Sequence, residues 1–239
     1  MVTSLVAVLT VAFPAAAFDT NCYVLAPAAG GECLVVDPGI GVEEHLAQVL
    51  ARHRLRPAAV LLTHGHVDHV WSVTPVCGGD TAAYIHADDR YRLGDLMSTV
   101  SPALVAMFEQ QFGAAATWRE PERVVDLHDQ QRLELAGLEV RVLHAPGHTE
   151  GSVMFTLPGI PDGVEGPEVT STCLSGDVLF AGSVGRTDLA GGDPAAMTRS
   201  LRDVVLPLAD DVLVLPGHGG ATTIGRERVS NPYLQGLAA

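Results

Sequence analysis

The chain has 239 residues, a length that suits one large α/β domain, and residues 1–239 are read as a single domain. Apolar residues make up 47% of it, enough to bury a sizeable core and too many for a disordered or fibrous chain. The net charge of −14 repels phosphate backbones, so no nucleic-acid partner is expected, and with every basic side chain an arginine no lysine can hold a substrate anion.

The chain opens with an almost wholly apolar stretch, Val2 to Phe18, in which Ala15-Ala16-Ala17 imitates a signal-peptidase site. A secretory signal begins with a positive region, yet the first basic residue is Arg52. The stretch is therefore read as a buried strand, Ser4 to Phe13, followed by a turn. No other segment is long and apolar enough to span a membrane, and a cytoplasmic location is expected. Cys22, Cys33, Cys77 and Cys173 form no CxxC pair and are read as free thiols of a reducing compartment.

Tyr23–Leu25 and Cys33–Val36 form a predicted hairpin closed by Ala29-Gly30-Gly31, and Asp37-Pro38-Gly39 is a turn. Val42 to Arg54 has the period of an amphipathic helix, ended by Pro57, and Ala58–Leu62 is a continuous apolar strand. A histidine-rich loop leads to a short helix near Asp68–Val76 and a strand around Ala82–Ile85. Asp88 to Gln111 is helical in pattern, with a break at Ser101-Pro102.

From Val124 the pattern changes to hairpins. Gln131–Leu135 and Leu138–Leu143 meet at Ala136-Gly137, and Ser152–Leu157 and Thr170–Leu174 flank a Pro/Gly-rich loop, Pro158 to Pro167. Pro194 to Leu206 reads as a helix with proline in its first turn, and Asp211–Leu215 is the last strand. Two sheets, each with helices on its outer side, would stack as an α/β/β/α sandwich.

The strongest chemical signal is Thr63-His64-Gly65-His66-Val67-Asp68-His69, directly after a buried strand. Imidazole and carboxylate suit zinc and similar divalent ions, and Gly65 allows a tight bend. His64 and His66 alternate in an extended loop and reach one position together. Asp68 and His69 begin the next helix and point to another, so two adjacent sites are the natural reading. Three further candidates, His148, Asp177 and His218, each directly follow a glycine at a strand end, where α/β sheets build ligand sites.

The order HxHxDH, GHT, GD and GH resembles the metallo-β-lactamase fold superfamily over nearly the whole chain. Within it the chain is most similar to short glyoxalase II-like hydrolases, through Asp37-Pro38-Gly39, Leu179-Phe180, Gly185-Arg186-Thr187-Asp188 and the tail Thr222-Thr223-Ile224-Gly225-Arg226-Glu227-Arg228. The resemblance implies the four-layer α/β/β/α fold of that family. It also implies two divalent ions, zinc first with iron or manganese as alternatives: one on His64, His66 and His148, the other on Asp68, His69 and His218, bridged by Asp177. The implied activity is hydrolysis of an acyl (lactoyl-type) thioester of a low-molecular-weight thiol. A water activated between the ions would attack, with Asp68 and Asp177 as the catalytic carboxylates. The basic helical domain that grips glutathione has no counterpart in this sequence, so glutathione or another small thiol such as mycothiol is the expected carrier. The partner is thus a small molecule, and the protein is expected to be a monomer or a small homo-oligomer.

The same resemblance admits an iron-dependent persulfide dioxygenase, with one iron on His64, His148 and Asp177. The tail motif leans towards the hydrolases, and a β-lactamase is disfavoured because such enzymes are exported. Arg186 is read either as an anion contact for the substrate, or brace for the site, or as a salt-bridge partner of Asp188 or Asp193. His144 is expected to pack beside the site rather than in it. His45, His53, His86 and His128 are read as ordinary surface or loop residues. Asn21, Tyr23 and Tyr233 are possible cleft residues, while Trp71 and Trp118 are read as core or cleft wall.

Overall fold

The computed structural model describes residues 6–100, 102, 105–107, 110, 118–163 and 169–237. The first residues of the predicted opening strand, residues 101, 103, 104, 108, 109 and 111 of the predicted helical stretch, and 164–168 of the Pro/Gly-rich loop lie outside the described residues.

The first sheet is built from β1 (Val6–Pro14), β2 (Asn21–Ala26), β3 (Glu32–Val36), β4 (Arg56–Leu61), β5 (Ala82–His86) and β6 (Val124–Leu127), with β10 (Gly159–Pro161) on its edge. Its order is β10-β1-β2-β3-β4-β5-β6. The second sheet contains β7 (Arg132–Leu135), β8 (Leu138–His144), β9 (Val153–Leu157), β11 (Ser171–Gly176), β14 (Val212–Pro216) and β15 (Thr222–Thr223), in the order β15-β14-β11-β9-β8-β7. A small ribbon pairs β12 (Leu179–Phe180) with β13 (Ser183–Val184).

Alternation along the strands decides the layering. Tyr23, Leu25, Leu34, Val36, Ala59 and Leu61 point into one core together with Val140, Val142, Phe155 and Leu174 of the other sheet. Their neighbours Cys22, Val24, Cys33, Val35, Val60 and Leu62 point the other way, against Leu46 and Val49 of the helix Glu43–His53. On the far side, Met154, Cys173 and Val214 of the second sheet pack on Met197 and Leu201 and on Ile224 and Leu234. The layers are helix, sheet, sheet, helix, as expected.

Several boundaries differ from expectation for identifiable reasons. The helix Glu43–His53 is ended not by Pro57 but by Arg54, whose left-handed φ of 54° turns its N–H back onto the last carbonyls. Pro57 instead lies within β4, where the pairing with β3 shifts register. Val124–Leu127 opens no hairpin and runs parallel to β5 as an edge strand. The loop after Pro158 contains β10, which runs parallel to β1; its Pro161 is tolerated because a sheet edge leaves one side unpaired. The predicted helix from Pro194 is α-helical to Ser200 and continues as a wider π turn, Leu201–Val205. Within Asp88–Gln111 the described residues form a 3-10 turn at Ala87–Asp89, a helix at Arg90–Gly94 and a further 3-10 turn at Leu96–Thr99. All four cysteines are free. Among the described residues no helix is long and apolar enough to cross a membrane.

Candidate metal centre

All the candidate ligands follow the C-terminal ends of strands. β4 leads into the loop of His64 and His66 and the short helix Val67–Val70, which carries Asp68 and His69. β8 precedes His148, β11 precedes Asp177, and β14 precedes His218. Parallel pairing of β11 with β14 sets Asp177 beside His218, and an antiparallel bridge from Thr20 to His218 brings the first sheet to the same point.

Three ring nitrogens converge in a first cluster. His64 Nε2 lies 3.1 Å from His66 Nδ1, His66 Nδ1 lies 2.8 Å from His148 Nε2, and His148 Nε2 lies 3.2 Å from His64 Nε2. Donors around a tetrahedral zinc, with bonds of about 2.0–2.1 Å, stand about 3.3 Å apart. In a second cluster His69 Nε2 lies 3.3 Å from His218 Nε2. Asp68 Oδ2 completes it at 3.6 Å and 3.3 Å from those two nitrogens. Asp177 stands between the clusters, with Oδ1 3.4 Å from His69 Nε2 and Oδ2 3.4 Å from His148 Nε2.

The far sides of the rings show which nitrogens carry lone pairs inward. His148 Nδ1 donates to the Arg186 carbonyl at 2.7 Å, and His218 Nδ1 donates to the Phe18 carbonyl at 3.1 Å. His69 Nδ1 donates to Asp37 Oδ2 at 2.9 Å. The Thr63 hydroxyl gives its proton to Asp37 and so accepts from His64 Nδ1 at 3.1 Å. A carbonyl can only accept, so His148 and His218 are protonated on Nδ1, and His69 and His64 donate through Nδ1 to Asp37 and Thr63; Nε2 is then the atom each ring turns into its cluster, with a free lone pair whenever the ring is neutral. Bare lone pairs this close repel one another unless a cation lies between them. Asp177 Oδ1 is buried and has no hydrogen-bond partner, which buried carboxylates rarely tolerate. The donor set therefore fits two divalent ions.

The groups that hold these ligands were largely missed in the sequence. Asp37, read there as part of a turn, accepts from the Thr63 N–H at 2.8 Å and the Thr63 hydroxyl at 2.6 Å as well as from His69. Asp89 is fully buried and ties two ligand loops together: it accepts from the Gly65 N–H at 2.7 Å, the Thr149 hydroxyl at 2.8 Å and the Gly151 N–H at 2.9 Å. Arg92, also fully buried, lies 3.3 Å from Asp89 and donates to Glu150 at 2.6 Å. Nothing in the sequence marked Asp89 apart from its exposed neighbour Asp88. Gly65 does not serve the bend expected of it. It is absent from the glycines with positive φ, and a Cβ there would stand 2.6 Å from Arg92 Cδ; the glycine makes room for the buried arginine. A Cβ at Gly217 would stand 2.2 Å from Asp177 Oδ1, so that glycine admits the carboxylate.

Electrostatics divide the two clusters. Burial, helped by the neighbouring imidazoles, lowers the His64 pKa well below its ordinary value and brings His66 down to about 3. Burial also lowers His148. In the second cluster burial acts in the same direction on His69, but the carboxylates of Asp177, Asp68 and Asp37 outweigh it and raise the pKa well above normal. His218 is raised in the same way, chiefly by Asp68 and Asp177. Burial pushes the Asp68 and Asp177 carboxyls up, and the adjacent histidines, His69 foremost, hold both below the ordinary range.

The clusters form the floor of a cleft of about 920 Å³, lined also by Phe18, Val67, Phe180, Val184, Arg186 and Leu189. Arg186 donates through Nε and Nη2 to the two Asp188 oxygens at 2.6 and 2.7 Å. His144 lies outside both clusters, stacked on His86 at 3.9 Å and donating to the Glu150 carbonyl at 2.8 Å. His86, read as a surface residue, is buried at the end of β5, because its ring forms that stack. His45 and His128 are exposed, as read. Tyr23 is buried and its hydroxyl donates to the Pro216 carbonyl at 2.7 Å. Asn21 donates to the Pro216 and Gly219 carbonyls at 3.0 and 2.9 Å, bracing the His218 loop. Tyr233 is exposed, and Trp71 and Trp118 pack against the core of the first sheet.

A fold of this layering with two His/Asp clusters at its strand ends defines a metal-dependent hydrolase class. The chain belongs to the metallo-beta-lactamase superfamily, whose family model matches residues 15–218. An uncharacterized protein of Mycobacterium bovis is 43% identical over 96% of this chain and 99% of its own. The hydroxyacylglutathione hydrolase GloC of Haemophilus influenzae is 31% identical over 92% of this chain and 95% of its own. Among solved structures, the B3 metallo-beta-lactamase BLEG-1 is 33% identical and superposes with a TM-score of 0.75, covering 95% of this chain and 99% of that one. TTHA1623 in a di-iron-bound form is also 33% identical, with a TM-score of 0.70, covering 94% of this chain and all of that one.

Proposed function

We propose that the chain is a metal-dependent thioesterase that cleaves acyl (lactoyl-type) esters of a low-molecular-weight thiol. Two divalent ions, zinc first, would be held by His64, His66 and His148 and by Asp68, His69 and His218, with Asp177 bridging. The observation that carries the reading is the second cluster: it is complete, and Asp177 joins it to the first. A mononuclear oxygenase needs only two histidines and one carboxylate. The likeness to GloC, named for hydroxyacylglutathione hydrolysis, supports the thioester, and the di-iron relative supports iron as the alternative metal.

Ions bound there supply Lewis acidity towards a water and a substrate carbonyl. The chain's own residues do the positioning. Asp37, Thr63 and the carbonyls of Phe18 and Arg186 fix the ring tautomers, so the donors need little rearrangement to bind. Asp68, held by the Thr20 hydroxyl at 3.0 Å, faces the cleft and takes the proton of the attacking water on its carboxylate. The water oxygen joins the acyl carbon, the carbon–sulfur bond breaks, and the thiol leaves with one proton. Arg186 acts through its backbone carbonyl on His148, while its guanidinium is engaged with Asp188.

The test is hydrolysis of S-D-lactoylglutathione by metal-replete protein, followed at the thioester absorbance. Turnover abolished by a chelator supports the reading. Oxygen uptake with a persulfide substrate by protein carrying a single iron would replace it with the dioxygenase, and hydrolysis of nitrocefin in preference to thioesters would replace it with a β-lactamase.

A further inference from the structure

Resting on the thioesterase part of that reading but replacing its lactoyl group, we propose that the cleft selects the acyl half of its substrate, and that the preferred acyl group is uncharged and apolar, of butyryl to octanoyl length. The floor of the cleft is polar, and its walls are mainly apolar, with Thr99, Ser183 and Arg186 as the polar exceptions. Val67, Val100, Met107, Phe180, Val184 and Leu189 line it. This wall is continuous with the reacting centre: Val67 sits between His66 and Asp68, and the Phe180 ring stands edge-on to the His218 ring at 6.1 Å. Met107 and Leu189 remain 39% and 42% exposed, and Phe18 at the same rim 45%. Apolar side chains grouped around a concave site are covered at a gain of about 25 cal/mol per Å² by an apolar occupant.

Charge points the same way. Among the described residues lining the cleft the single guanidinium is that of Arg186, and both arms of its fork face Asp188. That pair is neutral overall, and it offers no spare cation for a carboxylate. The net charge of −14 repels anions at long range. Small thiol carriers are polar, so the apolar wall matches the acyl chain. A cleft of about 920 Å³ is ample for a medium-length chain.

The experiment measures kcat/KM of metal-replete protein for acetyl, butyryl, hexanoyl and octanoyl thioesters of one uncharged carrier, N-acetylcysteamine, with the succinyl thioester as the anionic counterpart of butyryl. The expected result is a rise of about two- to fourfold per methylene as far as hexanoyl, the upper figure being that for full burial of a CH₂, with succinyl well below butyryl. In Leu189→Asp, still carrying two ions per chain, the rise flattens. Equal values along the series, or a preference for succinyl, overturn the proposal and leave the thioesterase standing. No hydrolysis of any member by protein with two bound ions that does cleave S-D-lactoylglutathione overturns this proposal alone; inertness towards that thioester as well overturns both.

Discussion

The two three-ligand clusters share a bridge and a cleft, yet they are built for different conditions. His64, His66 and His148 form a buried set of neutral rings whose pKa values burial pushes down. Asp68, His69 and His218 form a set whose carboxylates pull the imidazoles up, with the His218 side chain 29% exposed. The first cluster presents lone pairs at nearly any pH. The second must give up protons before it can bind a cation. One consequence is that the two sites should differ in lability, although both draw residues from the segment after β4.

The largest break in that comparison comes from the residue common to both. Asp177→Ala removes the bridge and is expected to lower kcat/KM by at least about 10³-fold, since the ions supply several kcal/mol of transition-state stabilisation. His66→Ala should do the same through the first cluster alone, and full activity with full metal content in either variant would contradict the site. Next in size is Asp89→Ala, which cuts the tie between the first cluster's loops and leaves buried Arg92 with the part-exposed Glu150 as its remaining carboxylate partner. Removal of one partner of such a pair costs about 3–5 kcal/mol, to be read as a lowered urea midpoint. Asp37→Ala is expected to act chiefly on the second cluster, whose His69 it holds directly, weakening its metal affinity by about 10- to 100-fold, and less on the first, which it reaches only through Thr63 and His64.

The pH prediction follows from the signs. Histidine must be neutral to bind a metal. The first cluster's pKa values lie below the ordinary value near 6.5, so its affinity holds as pH falls through 6.5. Those of His69 and His218 lie above it, so the second ion meets competition from protons at higher pH than the first and is released first on acidification. Metal content after dialysis at stepwise lower pH should fall from two ions to one before falling to none; loss of both in one step would contradict the distinction. In the metal-free protein, the pairing of His69 and His218 with carboxylates stabilises the fold below pH 6.5, and that stabilisation is lost as pH rises through their raised values. The smallest effect is expected from Arg186→Ala. The carbonyl that orients His148 remains, and an exposed ion pair contributes about 0–1 kcal/mol, so KM should be unchanged.

The seven residues of the two clusters were legible because they fall in short motifs that follow strands: His64, His66, His148, Asp177 and His218 each stand beside a glycine, and Asp68 and His69 lie on the short helix just after the first of these motifs. The strands of the first sheet were legible from their apolar pattern, but the four-layer stacking came from the resemblance carried by the motifs, since periodicity shows strands and not how two sheets stack. What holds the ligands was not legible. Asp89 gathers Gly65, Thr149 and Gly151 from loops some 24 to 62 positions away, and no spacing rule reaches that far. β10 and β6 were missed because an edge strand carries too little alternation to separate it from a loop or a hairpin arm. Gly65 was assigned to a bend because its true neighbour, Arg92, is remote in sequence. His86 looked like a surface residue for the same reason, since its stacking partner His144 lies in the other sheet.

The most direct measurement is the number of metal ions per folded chain by native mass spectrometry, for the wild type and for His218→Ala. Two divalent ions in the wild type and one in the variant would match two clusters joined by Asp177. One ion in both proteins would contradict the dinuclear centre and with it the hydrolytic reading.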